Sequence, residues 1–306
     1  MDARVETPYR IFDVTLGRRT ILSPNMARLT FVGPQVRQMA TLAPDQRIKI
    51  FFPSPNGLPP AIPHRADWYD LYKSTPVKDR APMRTYTIRY LRADECEVDI
   101  DFVLHGDNGP ASRWAGAANP GDPVQISAPN RAHHGGNQGY EWKPPAGVRN
   151  VLLIADLTAV PAAIGVLEEL AGLSAPPVTQ AFFEIPEPDD RLPVPVWEGL
   201  SLHWMVQLEA AAEHRAYGAL MIDAAARANL PQGAFSTEAP PDLPEIDVDT
   251  VLPWDRADTK SDSFYGWVAG ESDAVRRIRN LLVKERGVER TLVNLMGYWR
   301  HGRVRD

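Results

Sequence analysis

In the stretch MRTYTIRY (residues 83–90), two arginines, two threonines and two tyrosines leave only Met83 and Ile88 as thioether or aliphatic side chains. A strand that merely buried one face would alternate apolar and polar residues, so core packing alone does not account for this run. In an extended chain Arg84 and Tyr86 share a face. A guanidinium there can hold a phosphate while the phenol ring offers a flat surface, a combination that suits a flavin nucleotide. A surface strand carrying a cation–aromatic ladder is the structural alternative. The run HGDNGPASRWA (105–115) then passes from a strand end through Gly106, Gly109 and Pro110 into a short helix beginning near Ala111 and Ser112. Free amides at a helix start form a pyrophosphate site, and Ser112 can add its hydroxyl. Two adjacent anion sites, one supplied by Arg84, would hold a dinucleotide.

The elements that must position these residues fall into two groups. Six segments, at 14–23, 26–33, 47–53, 84–91, 96–105 and 122–129, are short, rich in β-branched residues and bounded by Pro, Gly and Asn. They predict a closed or nearly closed antiparallel six-stranded β-barrel over residues 1–145. In the fifth, Val98, Ile100, Phe102 and Leu104 form one apolar face. After the glycine-rich loop RAHHGGNQGYEWKPPAG the pattern changes. VLLIADL (151–157) is a continuous apolar run, as in a strand buried on both faces of a parallel sheet. A helix over 158–172, strands at 178–185 and 202–207, a helix over 216–230, a strand at 265–270 and a helix over 272–286 follow. This alternation predicts a doubly wound α/β domain over 146–306. Two proline-rich loops, 53–82 and 231–263, are long enough to be functional or mobile.

Composition narrows the function. The chain has 306 residues, a formal charge of -6 and one cysteine, Cys96, read as a buried small side chain. The net charge argues against a dedicated nucleic-acid partner, and a lone cysteine builds no disulfide, zinc knuckle or iron–sulfur cluster. MDARVETPYRIF carries acids and a proline where a secretory signal needs an apolar run. No apolar run approaches the ~20 residues of a membrane span, so a cytoplasmic location is expected. No heptad or large apolar surface helix argues for an obligate assembly, and a monomer is expected.

Taken together, MRTYTIR (83–89), VDIDFVLHGDNGPASRWA (98–115), NPGD (119–122), ADLTAVPA (155–162), WVAGES (267–272) and GYWRHG (297–302) resemble the siderophore-interacting proteins. These are flavin-dependent ferric-siderophore reductases of the ferredoxin reductase-like superfamily, and the likeness covers nearly the whole chain. It implies an FAD-binding barrel followed by an NAD(P)H-binding domain. NADPH or NADH would reduce FAD, which would reduce the Fe(III) of a ferric siderophore by single-electron steps and release Fe(II).

The resemblance also implies roles for individual residues. In the Arg84-Thr85-Tyr86-Thr87 segment, Arg84 would contact the FAD pyrophosphate, Tyr86 would pack on the isoalloxazine or ribityl portion, and Thr87 would lie near the reactive ring edge. Strict alternation puts Thr87 opposite Tyr86, so either the strand twists or the backbone makes that contact. His105 would sit beside the flavin, and Gly109, Ala111 and Ser112 would form the pyrophosphate turn, with Trp114 packing. Asp156, Thr158 and Ala159, then Gly270 and Glu271, would line the nicotinamide half. Trp299 and Tyr298 either approach the flavin or pack the last strand. Lys49, Arg300 and Arg303, with Lys260 or Arg89, would supply positive charge to an anionic chelate.

No general acid or base and no resident metal are expected. Leu157 stands where family members usually carry a polar residue. Glu184 could hold a ribose hydroxyl and Arg191 a phosphate, leaving NADPH, NADH and a ferredoxin open as electron donor. A flavin oxidoreductase with another acceptor, and a flavin-containing siderophore-binding protein with little turnover, are the rival readings.

Overall fold

A computed structural model describes residues 7–54, 56–104, 109–135, 139–211, 216–238 and 243–303. The chain divides into two compact units at Tyr140/Glu141. That division precedes the expected boundary after residue 145, because the linker's first residues bond into the second unit. Glu141 accepts from Trp254 Nε1 at 3.2 Å, and Trp142 Nε1 donates to Glu169 at 2.8 Å.

The first unit contains β1 (Tyr9–Ser23), β2 (Met26–Val32), β3 (Arg47–Phe51), β4 (Met83–Thr87), β5 (Tyr90–Arg92), β6 (Glu97–Val103) and β7 (Pro123–Pro129). They form one antiparallel sheet in the order β4-β3-β7-β1-β2-β6-β5. The strand expected over 84–91 is broken in two. Ile88 N still donates to Gln46 O at 3.1 Å, beside β3, but Arg89 N donates to Asp99 O of β6 at 2.9 Å. The chain leaves one edge of the sheet and joins the other, so β4 and β5 replace the single expected strand and the curled sheet has seven strands where six were expected.

Alternation fills the interior. Val98, Ile100 and Phe102 of β6 join Phe12, Phe31 and Ile50 in the core. Between them, Asp99 and Asp101 point outward and meet arginines: Arg92 Nη2 lies 2.8 Å from Asp99 Oδ1 and Arg28 Nε 2.7 Å from Asp101 Oδ1. The first long loop contains helix α1 (Trp68–Ser74), which helps cover Ile11 and Phe51 on the outer barrel wall. Gln125 pins this loop by accepting from Ile62 N at 2.6 Å and donating to Ile62 O at 3.2 Å. Cys96 is partly exposed rather than buried; it occupies a left-handed turn (φ 59°) before β6, where Arg37 Nε donates to its Sγ at 3.1 Å. Helix α2 (Pro110–Ala117) is anchored by Trp114, which stacks on Phe31 at 6.1 Å and lies tilted against Phe52 at 5.4 Å.

The second unit runs β8 (Asn150–Asp156), α3 (Val160–Ala171), β9 (Val178–Ile185), β10 (Leu200–Val206), α4 (Ala219–Arg227), β11 (Trp254–Asp255), β12 (Tyr265–Glu271), α5 (Ser272–Arg279) and β13 (Val293–Trp299). The strand order is β10-β9-β8-β12-β13-β11, parallel except for β11. Most of the parallel strands are continuous apolar runs because helices cover both faces. The sequence did not mark β11, a two-residue strand inside the second long loop.

Candidate functional site

Pairing across β3 and β4 sets Arg84 opposite Ile50 and Tyr86 opposite Ile48, with Thr85 opposite Lys49 and Thr87 opposite Arg47. Ile48 and Ile50 belong to the core, so Arg84 and Tyr86 lie on the inner face and the threonines on the outer one. Lys49 accordingly donates to Thr85 Oγ1 at 2.6 Å. Burial, then neighbouring Arg47, draws the Lys49 pKa below its ordinary value. The Tyr86 ring lies 4.1 Å from that of Phe102 and remains partly exposed, while burial raises its phenol pKa. Arg84 Nη1 donates to Met83 O at 2.8 Å, and the guanidinium has no carboxylate partner among the described residues.

The hydrogen bonding of β4 sets the direction of the Thr87 main chain. Phe52 N donates to Pro82 O and Ile88 N to Gln46 O, so the even-numbered residues here direct their main-chain groups at β3. Those of Thr85 and Thr87 point the other way, toward β6. Yet β6 pairs with β5 only through Glu97, Val98 and Asp99, so among the described residues no ladder closes the seam beside the threonines. The strand needs no bulge: its backbone, rather than the Thr87 hydroxyl on the outer face, is turned to this opening.

Helix α2 starts behind the same aromatic cluster. Gly109 is extended (φ 178°), and a Cβ there would meet nothing within 4 Å. The first-turn amides of Ala111 and Ser112 have no helical acceptor, and the Ser112 hydroxyl has no partner among the described residues. His105 lies outside those residues. Among the described residues, open space at a helix start, an arginine with no carboxylate partner, a partly exposed aromatic and an unpaired strand edge fit a dinucleotide bearing a flat ring.

In the second unit the strand order reverses between β8 and β12, and open α/β sheets bind ligands at the C-terminal strand ends beside such a reversal. Asp156 ends β8 there, with both carboxylate oxygens engaged. Oδ1 accepts from Thr158 N at 2.9 Å and Thr158 Oγ1 at 2.5 Å; Oδ2 accepts from Trp299 Nε1 at 2.7 Å. Burial nevertheless raises its pKa. Only glycine fits beside it, since a Cβ on Gly270 would stand 2.7 Å from Asp156 Oδ2. Leu157 and Ala159 are buried, and Thr158 is the partly exposed polar residue of this turn. The departure at Leu157 is therefore absorbed by packing.

Glu271 is buried at the end of β12. Its Oε2 caps α5 by accepting from Asp273 N at 2.7 Å and Ala274 N at 2.9 Å, while Oε1 accepts from Arg300 Nη1 at 2.9 Å. Arg300 and Arg303 each lie 3.1 Å from one oxygen of Asp249. Tyr217 packs edge-on to Trp299 at 5.3 Å and lies 4.8 Å from His301.

The expected residues thus divide between the units: in the first, Arg84 and Tyr86 lie on the inner face of β4 and Ala111 and Ser112 at the start of α2, while Lys49, Thr85 and Thr87 lie on the outer face; in the second, Asp156, Thr158, Gly270, Glu271 and Trp299 lie at the C-terminal strand ends. Lys260 is exposed in the loop before β12. Arg89 lies 4.1 Å over the Tyr90 ring and 3.9 Å from Asp101, within the outer ion-pair ladder. Glu184 accepts from Gln207 Nε2 at 2.6 Å, Gly218 N at 2.7 Å and Met221 N at 3.0 Å, so it anchors the start of α4 instead of presenting a free carboxylate. Burial raises its pKa. Arg191 is exposed, 3.8 Å from Glu209. Asp249, Tyr217 and His301 were not anticipated. For Asp249 the available signal was the acidic run EIDVDT in a loop facing two closely spaced arginines that need counter-charges.

Comparison with known proteins agrees with this architecture. The siderophore utilization protein of T. fusca superposes with a TM-score of 0.70 at 26% identity, covering 98% of this chain and 96% of that one. The ferric vibriobactin reductase of Vibrio cholerae is 26% identical over 312 residues, 99% of this chain and 94% of its own. The NADPH-dependent ferric-chelate reductase of Escherichia coli is 27% identical over 216 residues, 69% of this chain and 78% of its own. The fold is ferredoxin-reductase-like. The model of the siderophore-interacting FAD-binding domain matches residues 15–133 and that of the siderophore-interacting protein matches residues 148–302, so the chain belongs to the siderophore-interacting protein family.

Proposed function

We propose that this protein is an FAD-dependent NAD(P)H:ferric-siderophore oxidoreductase. The observation that carries the reading is in the first unit, where, among the described residues, an arginine with no carboxylate partner, a partly exposed tyrosine and an unpaired strand edge share a unit with the start of α2. FAD, when bound, supplies what no side chain can: it accepts a two-electron hydride from NAD(P)H and returns electrons singly to ferric iron. Siderophores hold Fe(III) through hard anionic oxygens that bind Fe(II) more weakly, so reduction releases the metal.

The protein's own residues bind and orient. Arg84 holds the pyrophosphate with the Ala111 and Ser112 amides, and Gly109 lets it approach the backbone. Tyr86 stacks on the ring system, and the main chain at Thr85 and Thr87 meets its polar edge. In the second unit Thr158 and Trp299 contact the nicotinamide donor, with Ala159 and Gly270 shaping the floor. Asp156 positions Thr158 and Trp299. Arg300 and Arg303 face the chelate, and Glu271 orients Arg300. The names of the E. coli and V. cholerae relatives, an NADPH-dependent ferric-chelate reductase and a ferric vibriobactin reductase, support both substrates.

The test is an anaerobic assay of FAD-loaded protein with NADPH or NADH and a ferric siderophore, followed by Fe(II) capture with a coloured ferrous chelator. Capture above the rate with free flavin is expected. No capture with the flavin still oxidised would point to another donor, such as a ferredoxin, or to a binding role; bleached flavin without capture would mean a different acceptor.

A further inference from the structure

The arginines assigned to the chelate are not free charges. Arg300 meets Glu271 at 2.9 Å and Asp249 at 3.1 Å, and Arg303 meets Asp249 at 3.1 Å. Two guanidinium charges are therefore opposed by two carboxylates, and the cluster is close to neutral. The two acids differ in kind. Glu271 is buried and caps α5, so its carboxylate is held in place by the fold. Asp249 is 41% exposed and belongs to no helix or strand.

The loop nevertheless holds Asp249 in place. Its N–H donates to Asp247 Oδ1 at 3.0 Å, Val251 N donates to Asp247 O at 2.9 Å, and Arg303 Nη1 donates to the Asp249 carbonyl at 3.1 Å. A carboxylate set between two arginines occupies the position an anionic ligand would need and cancels the attraction it would feel.

We infer that Asp249 determines chelate specificity, biasing the Arg300–Arg303 pair toward a ferric chelate of little net charge and against a highly anionic one. This rests on the reading of those arginines as chelate-facing. The chemistry separates two siderophore classes: three hydroxamates on Fe(III) give an uncharged complex, whereas three catecholates give a trianion. The first fits the neutral cluster. The second must either displace Asp249 or bind against its charge, a penalty that falls on a multiply charged ligand at close range.

The test measures binding of a hexadentate ferric trihydroxamate and a hexadentate ferric tricatecholate to FAD-loaded protein, by quenching of tryptophan fluorescence at low ionic strength. The wild type should bind the trihydroxamate more tightly. Asp249→Asn should tighten tricatecholate binding by about tenfold and leave the trihydroxamate nearly unchanged, with the gain shrinking as salt is added. Asp249→Glu should restore discrimination, which a merely structural loop role would not predict. Arg303→Gln serves as the control for the underlying reading and should weaken tricatecholate binding. If it does while Asp249→Asn changes neither affinity, the inference fails and the chelate-facing arginines stand. If neither variant alters either affinity, the chelate does not meet this cluster and both fail. A wild type that already prefers the trianion overturns the inference outright.

Discussion

Arg84 and Gly270 show how differently a single residue can matter in this protein. Arg84 has no acidic partner among the described residues, so its guanidinium is available to a phosphate. Arg84→Ala should lose a charge-assisted hydrogen bond of ~1.5–3 kcal/mol, roughly ten- to a hundredfold in FAD affinity. Fluorescence titration with FAD checks this, and undiminished affinity would remove Arg84 from the site. Gly270, by contrast, is set by its neighbour. A methyl group there would press on the buried Asp156 carboxylate, and overpacking of this kind costs about 1–3 kcal/mol. Gly270→Ala should lower the urea unfolding midpoint, and a midpoint equal to that of the wild type would show that Asp156 has room to move. Both residues were legible as glycine and arginine positions of interest. What the sequence could not reveal is that Gly270 is required by a carboxylate from a strand more than a hundred residues earlier.

At the scale of elements, β4 is the informative strand. It is paired with β3 on one side and, beside Thr85 and Thr87, with nothing described on the other. Proline at position 87 would remove an N–H that the β3–β4 ladder does not use, whereas proline at position 86 would remove one that it does. Thr87→Pro should therefore weaken FAD binding several-fold and leave the unfolding midpoint near that of the wild type. Tyr86→Pro should lower the midpoint markedly. Equal stability losses in the two variants would mean that the register assigned to β4 is wrong. The strand's existence was readable from its β-branched and aromatic content. Its break at Ile88 was not, because that break comes from the barrel closing and switching the chain from one neighbour to another.

Across the whole molecule, the buried and paired carboxylates act on stability with opposite signs. Bonds from Arg18, then Arg92, hold the Glu97 carboxyl at about 2, below its ordinary 4.5. Between those values the native state binds fewer protons than the unfolded one, so this stabilisation is complete above about pH 4.5 and is lost as pH falls through about 2. Glu97→Gln should flatten the acid limb of a stability profile followed by thermal melting. A limb as steep as that of the wild type would mean the ladder is not coupled to folding. Asp156 and Glu184 run the other way: burial raises both, so their contribution is best at low pH and declines as pH rises past the ordinary carboxylate range of about 3.9–4.3. No helix among the described residues is long and apolar enough to cross a membrane.

The sequence by itself determined the barrel followed by a parallel α/β unit, and it is the source of the proposal that MRTYTIRY and HGDNGPASRWA bind phosphate and a flat ring. These follow from local periodicity, turn residues and the chemistry of neighbouring side chains, all of which are written in contiguous residues. Only the tertiary structure decided which charges are spent. Glu184 is consumed by the start of α4, Glu271 by α5 and Arg300, and the Arg300–Arg303 pair by Asp249, because burial obliges a charged group to find a partner wherever the fold brings one near. Such partners lie tens of residues apart, on elements whose proximity no local pattern encodes.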